Sequence, residues 1–267
     1  MLFSDLALSR RLERAEGYAC MQFAVARRKL FPESGAEWME CAGAYAVFDG
    51  VDSPVTQTFG LGMFEEATAG ALDTIEKFFR ERGAKVDQEV SPMAGLPTVD
   101  LLCARGYRPI EISSVMYRAV EKPDSGPGAG ITVRVTDPEE GAMWADVSAR
   151  GWAQNPELTE WIRGFGLIGS ARQDCPCFLA EIDGEPGAAG ALCIADGVAL
   201  FAGGATIPEM RRRGLQGALL EERMRYAFDH GCDLAMMVAE AGGESQRNAE
   251  RKGFRVAYTR TKWRLQR

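Results

Sequence analysis

Thr206-Ile207-Pro208-Glu209-Met210-Arg211-Arg212-Arg213-Gly214-Leu215-Gln216-Gly217-Ala218-Leu219-Leu220 runs from an extended segment into a helix. Pro208 ends the strand. Gly214 and Gly217 let the backbone come close to a ligand. The first turn of a helix leaves about four N–H groups without partners, and those donors together with the helix dipole favour an anion. Arg211, Arg212 and Arg213 add three positive charges just before that turn, in a chain whose net charge is −7. A phosphate or pyrophosphate is the ligand this arrangement suits; an ordinary solvated basic loop is the plain alternative.

Outward from that segment, the pattern gives a series of short elements. Ile131–Val135 alternates like a strand. Asp137-Pro138 opens a helix, with Asp at the cap and Pro in the first turn. Pro156–Arg163 is helical. Strands are expected over Cys177–Ile182, Gly187–Ala195 and Val198–Ile207, joined by the turn signals Asp183-Gly184 and Asp196-Gly197. Leu215–His230 is helical and Gly231 ends it. Leu234–Ala239 is an apolar strand, Glu244–Lys252 a short helix, and Phe254–Leu265 a strand whose alternation shifts face, which points to a bulge or tight turn. The order β-α-α-β-β-β-α-β-α-β describes a mixed sheet flanked by helices.

The same unit occurs twice. Asp49-Gly50-Val51 recurs as Asp196-Gly197-Val198, Gly70-Ala71-Leu72 as Gly217-Ala218-Leu219, and Arg105-Gly106-Tyr107 as Lys252-Gly253-Phe254, each 147 residues on. Lys122 to Gly130 is rich in proline and glycine and reads as a linker. Three segments follow: 1–121, a linker at 122–130, and 131–267.

With 46% apolar and 26% charged residues the composition is that of a globular protein. A pI near 5.1 lacks the overall charge of a nucleic-acid binder. No run approaches the roughly 20 apolar residues of a membrane span, and the charges near the N-terminus follow rather than precede the apolar residues, the wrong order for a secretory leader. Seven cysteines without regular spacing and a single histidine, His230, suggest reduced thiols, a cytoplasmic location and no metal site. Gly164-Phe165-Gly166-Leu167-Ile168-Gly169 matches a dinucleotide fingerprint by letters, but it follows a helical stretch instead of a strand. It reads as a flexible loop.

Arg211-x-x-Gly214-x-Gln216, at the start of the central helix, resembles the pyrophosphate loop of the GNAT superfamily of acyl-CoA-dependent N-acetyltransferases. That pattern is Gln/Arg-x-x-Gly-x-Gly/Ala, and Gln216 departs from it at the last position. The resemblance covers the second half of the chain and implies an α/β (α+β) architecture of two tandem GNAT-like domains, each a mixed, mostly antiparallel sheet flanked by helices. It implies acetyl-CoA as co-substrate. The pantetheine would pair with Ala205, Thr206 and Ile207. The pyrophosphate would lie against Arg211, Arg212, Arg213, Gly214, Leu215, Gln216, Gly217 and Ala218, and Ser245 and Asn248 would offer further polar contacts. The activity implied is acetyl transfer to a primary amine of a small acceptor by direct attack in a ternary complex; a non-catalytic acyl-CoA sensor is the alternative. Many family members carry a tyrosine, the acid for the departing thiolate, where this chain has Ala249. Tyr226 and Tyr258 are substitutes if they are not simply core residues.

In the first copy the positions matching Arg211 to Gly214 are Phe64, Glu65, Glu66 and Ala67. Acidic side chains there oppose a pyrophosphate, so this copy is expected to be degenerate and without CoA. Glu240, at a strand end, is the candidate base. His230 sits at a helix C-terminus, where a cation is favourable for structural reasons alone. Cys193 and Cys232 are weighed as nucleophiles against core residues, and Trp152 and Trp161 as acceptor-pocket residues against core burial. The partners expected are a small amine, with no nucleic acid and no membrane. An exposed sheet edge in either copy leaves a homodimer open.

Overall fold

A computed structural model describes residues 3–124, 126–152 and 156–266. Met1 and Leu2 of the N-terminal stretch and Ser125 of the linker lie outside them. The elements in chain order are α1 (Leu6–Leu30), β1 (Glu37–Cys41), β2 (Ala44–Phe48), β3 (Gln57–Phe59), α2 (Ala69–Arg80), β4 (Asp87–Val90), α3 (Gly95–Ala104), β5 (Tyr107–Ala119), β6 (Ile131–Val135), α4 (Gly141–Trp152), α5 (Pro156–Ser170), β7 (Cys177–Ile182), β8 (Glu185–Ala195), β9 (Val198–Thr206), α6 (Leu215–Asp229), β10 (Leu234–Glu240), α7 (Glu244–Arg251) and β11 (Arg255–Leu265). From β2 to β5 the first series is repeated 147 residues later by β8 to β11, element for element.

Two compact units emerge from the packing: residues 1–118 with 236–267, and residues 119–235. This division differs from a cut at the linker, because the last segment of the chain packs with the first unit.

In the first unit the strand order is β1-β2-β3-β4-β11-β5-β10. β3 and β4 are parallel, with Thr58 opposite Gln88. β11 lies antiparallel between β4, where Thr261 faces Val90, and β5, where Leu265 faces Tyr107. Its pairing with β5 shifts at Val256/Tyr258 and at Lys262/Trp263. These irregularities account for the change of face in its sequence pattern. α1 begins because the Asp5 carboxylate accepts the Leu8 N–H at 2.8 Å, and it ends in Arg27, Arg28 and Lys29, which suit the negative end of the helix dipole. The core joins Phe48, Leu61, Leu72, Ile75, Phe79 and Leu102 from β2, α2, α3 and the connections between them.

The second unit contains the antiparallel run β9-β8-β7-β6. Its hairpins turn at Asp183-Gly184 and Asp196-Gly197, all four with positive φ, the signature of the turn that matches strand twist. The stretch 164–169, expected as a loop, is helical within α5. A Cβ on Gly166 would lie 3.1 Å from Cβ of Ala145. A glycine there serves close packing of α4 and α5, not a ligand. Leu8, Ala15, Phe178, Leu192, Leu219 and Met224 are among the buried side chains of the two units.

The thiols depart from expectation. Cys175 and Cys193 form a disulfide, leaving Cys20, Cys41, Cys103, Cys177 and Cys232 free. The two are neighbours because residues 174–176 extend the sheet alongside β8: the N–H groups of Leu192 and Ile194 donate to Pro176 and Asp174. Such bonds are rare in reducing compartments, so the basis for a cytoplasmic location weakens. Titration of the denatured chain with a thiol reagent should count five thiols without reductant and seven with it; seven in both would refute the bond. No helix among the described residues is long and apolar enough to cross a membrane, and no group of three or more metal-ligating side chains occurs among them.

Candidate functional site

β9 leads into a single 3₁₀ turn, Pro208–Met210, and then into the arginine loop. Arg211 is used internally. Its Nε donates to the Thr206 carbonyl at 3.2 Å and its Nη2 to the Gly151 carbonyl at 3.1 Å. Arg212 and Arg213 are exposed, with no hydrogen bond or ion pair to any described residue. Arg212 has φ +62° and Gly214 φ +90°. A left-handed non-glycine residue costs about 1–3 kcal/mol and persists where the surroundings require it. Alternating backbone hands of this kind let successive N–H groups converge on an anion.

α6 then starts without a side-chain cap on Gly214. Its first helical bond runs from the Ala218 N–H to the Gly214 carbonyl at 3.1 Å, so the N–H groups of Leu215, Gln216 and Gly217 have no partner among the described residues. Leu215 and Ala218 are buried and anchor the turn, while Gln216 is exposed. Gly187 makes room beneath: a Cβ there would fall on Met210 Sδ and 2.7 Å from Leu215 Cδ1.

The first copy shows the contrast. There α2 is capped by its own Thr68, whose hydroxyl accepts the Ala71 N–H at 3.2 Å. Phe64 fills the loop, with Gly43 and Gly60 pressed against its ring and the Arg14 guanidinium 4.0 Å above it. The helix end that is open in the second copy is closed in the first.

β9 carries a bulge that sequence reading did not find. Ala189 faces Ala205 and Ala191 faces Ala202, so Gly190 stands opposite both Gly203 and Gly204. Gly203 has φ +60°, the conformation a glycine bulge requires. Two helices pin it. The Trp144 indole N–H from α4 lies 3.1 and 3.2 Å from the Phe178 and Gly190 carbonyls. Arg223 from α6 donates through Nη1 to the carbonyls of Ala191 at 3.0 Å and Ala202 at 3.2 Å, and through Nε to Leu219 at 3.2 Å. Arg223 is buried, with its guanidinium 5.0 Å from the centre of the Phe201 ring. Burial lowers its pKa to about 10, so it stays charged at neutral pH. A Cβ on Gly190 would lie 3.0 Å from Arg223 Cζ, which explains the glycine. The available signal was an arginine at i+4 from Leu219 on the buried stripe of α6.

The other candidates are placed as follows. Ala205 and Thr206 pair with Ala189 and Ala188 of β8, the Ile207 N–H is taken by the Gly187 carbonyl at 3.0 Å, and the Thr206 hydroxyl is buried without a hydrogen-bond partner among the described residues. Residues 205–218 thus come together in one unit. Glu240, Ser245 and Asn248 belong to the other unit. Glu240 is exposed at the end of β10, and Ser245 is exposed on α7. Asn248 accepts from Arg251 Nη1 at 2.9 Å. Ala249 is 1% exposed.

Tyr258 is buried and donates to Glu13 at 2.7 Å. Tyr226 stacks on His230, whose Nδ1 lies 2.8 Å from the Tyr226 carbonyl. Burial pushes the Cys177 thiol up to about 12 and also raises Cys232, and Cys193 is oxidised; none of the three is an activated thiolate. Trp152 and Trp161 are exposed, not core, the second stacked on Phe165 at 5.5 Å.

Residues 143–254 match the family model described as acetyltransferase (GNAT) family. No curated protein sequence matches the chain. A GCN5-related N-acetyltransferase from Kribbella flavida has a similar structure, with a TM-score of 0.66 and 21% identity over 92% of this chain and 95% of that one. A second from Sphaerobacter thermophilus gives 0.55 and 19%, over 83% and 76%. A tandem GNAT protein from the clavulanic acid biosynthesis pathway gives 0.58 and 13%, over 83% and 78%. At these identities the likeness is one of fold.

Proposed function

We propose, from the match of residues 143–254 to the acetyltransferase (GNAT) family model, that the protein moves an acetyl group from acetyl-CoA to a primary amine of a small acceptor by direct attack. The observation that carries this reading is the uncapped start of α6 beside Arg212 and Arg213, which have no partner among the described residues. Acetyl-CoA supplies the activated thioester. The residues present suit it: Arg212 and Arg213 for the charge of a pyrophosphate, the free N–H groups of Leu215, Gln216 and Gly217 for its oxygens, and the orphaned Thr206 hydroxyl as a further polar contact. The bulge at Gly203 turns backbone donors out of the ladder, where they can polarise a carbonyl. Glu240 is the proposed acceptor of the amine's proton. Arg211, by contrast, serves as a strut between β9 and α4.

Calorimetric titration of acetyl-CoA tests the reading. The wild type should bind one equivalent. An Arg213→Glu, Gly214→Asp double variant replaces an attractive charge by a repulsive one and should lose about 3 kcal/mol, or roughly 150-fold in Kd. Equal binding by both proteins would sink the assignment of the loop.

A sensor without turnover is the second reading, favoured by Ala249, whose burial at 1% leaves no room for a phenol. Release of free thiol from acetyl-CoA with an amino acid, polyamine, aminoglycoside or peptide separates the two.

A further inference from the structure

The first unit has a cavity of its own, about 170 Å³ in volume, where the turn 49–56 meets the starts of β3 and β4 and the end of β11. The turn that carries Ser53 and Thr56 into its wall is fixed from behind. Asp49 is buried and held by a two-pronged contact from Arg27, at 2.5 and 2.9 Å. Ser53 donates to the same carboxylate, and the Thr56 hydroxyl both accepts the Asp49 N–H at 2.9 Å and donates to the Gly50 carbonyl at 2.6 Å. On the opposite wall Arg264 forks onto Asp87 at 2.8 and 2.7 Å. Lys262 is engaged by Glu111 at 2.9 Å and Glu89 at 3.5 Å.

Those pairings neutralise most of the lining charge and single out three groups. Lys85 and Asp52 face the cavity from its rim, and neither has an opposite charge within 4 Å among the described residues. Gln57 also lines the cavity, yet it is only 7% exposed, and its carboxamide has no hydrogen-bond partner among those residues. The residue is buried but its amide opens onto the cavity, where two donors and an acceptor are available to a ligand.

We propose that this cavity binds a small zwitterion of the amino-carboxylate class, an α-amino acid in size and charge. The carboxylate goes to Lys85, the ammonium to Asp52, and a polar group to the Gln57 amide. A ligand of one sign would satisfy either Lys85 or Asp52 and face the other as a like charge. The volume suits a small solute and is well short of the roughly 300–1,000 Å³ of sites for larger ligands. The rim charges are exposed, so the site is a weak one, suited to millimolar concentrations. The proposal is independent of acetyl transfer and gives the unit with the closed helix end a binding role of its own.

Saturation-transfer NMR on the full chain with an equimolar mixture of the twenty proteinogenic L-amino acids tests it. At least one should show transfer, and its Kd, measured by titration, should rise tenfold or more in both Lys85→Glu and Gln57→Leu. Lys85 is exposed, so that variant keeps its fold even if the Gln57 variant does not. Absence of transfer from all twenty overturns the proposal, as does transfer indifferent to Lys85→Glu. Binding of inorganic phosphate in place of any amino acid overturns the zwitterion and leaves a simple anion site.

Discussion

Arg260→Met is expected to destabilise the protein by about 3–5 kcal/mol, the usual cost of stranding buried charge and a large part of a typical folding free energy of 5–15 kcal/mol. Arg260 is 2% exposed. It stands 2.6 and 2.7 Å from the Glu16 carboxylate, 2.9 Å from Glu89 and 3.4 Å from Glu13. Burial alone would lower its pKa, but these carboxylates raise it further, so it remains a cation. Burial raises the pKa of Glu13 despite Arg260 and the hydrogen bond from Tyr258. In the variant only the Tyr258 hydrogen bond still opposes that effect, and the folded form prefers a protonated Glu13 more strongly.

The sign follows. A carboxyl whose folded pKa is raised binds its proton more tightly in the native state, so stability falls as pH rises from the unfolded value through the folded one. Chemical denaturation of Arg260→Met should therefore show stability recovering as pH falls from 7 toward 5, by more than in the wild type. A loss that does not change with pH would mean the arginine acts through packing alone. Adding Glu13→Gln and Glu89→Gln should restore part of the loss.

The second large effect is expected at Arg223. Methionine there leaves the carbonyls of Ala191 and Ala202 without their donor, at about 1–3 kcal/mol each, partly offset because a buried charge with no carboxylate partner among the described residues is also removed. The bulge then loses one of its two supports. If that bulge presents donors to the thioester carbonyl, kcat should fall about 10²–10³-fold. KM for acetyl-CoA should change little, because the loop proposed to hold the pyrophosphate lies at the start of α6, before Arg223. Steady-state kinetics separate the effects: a rise in KM with kcat intact would assign Arg223 to the loop instead.

The legible parts of the fold were those written in local chemistry. Asp183-Gly184 and Asp196-Gly197 announced their turns because few residue pairs tolerate two positive φ values. The loop at Arg211 to Gly217 was visible because glycine and clustered charge are rare together at a helix start. The constant spacing of 147 residues exposes the repeat, and the reversal of charge at Glu65 and Glu66 marks the copy whose helix start is closed, although Thr68 as its cap leaves no comparable mark. The remainder depended on partners far away in the chain. Arg223 appears as one more surface charge until Ala191 and Ala202 are seen to face it. Gly164 to Gly169 resembled a loop because three glycines lower helix propensity, and only the contact with Ala145 shows why α5 keeps Gly166. Cys175 and Cys193 meet because residues 174–176 continue a sheet past the strand their own pattern marks.

β11 has one more consequence, for the order of events during synthesis. It lies between β4 and β5, so the sheet of the first unit is completed by a strand made only after residues 119–235. At a typical 5–20 residues per second, the ribosome needs roughly 7–30 s after residue 118 to release that strand. Through that interval β4 and β5 expose unpaired edges, the condition most prone to mispairing. The common rule of front-to-back domain folding is reversed in this chain: residues 119–235 have all their strands in hand before the N-terminal sheet can close.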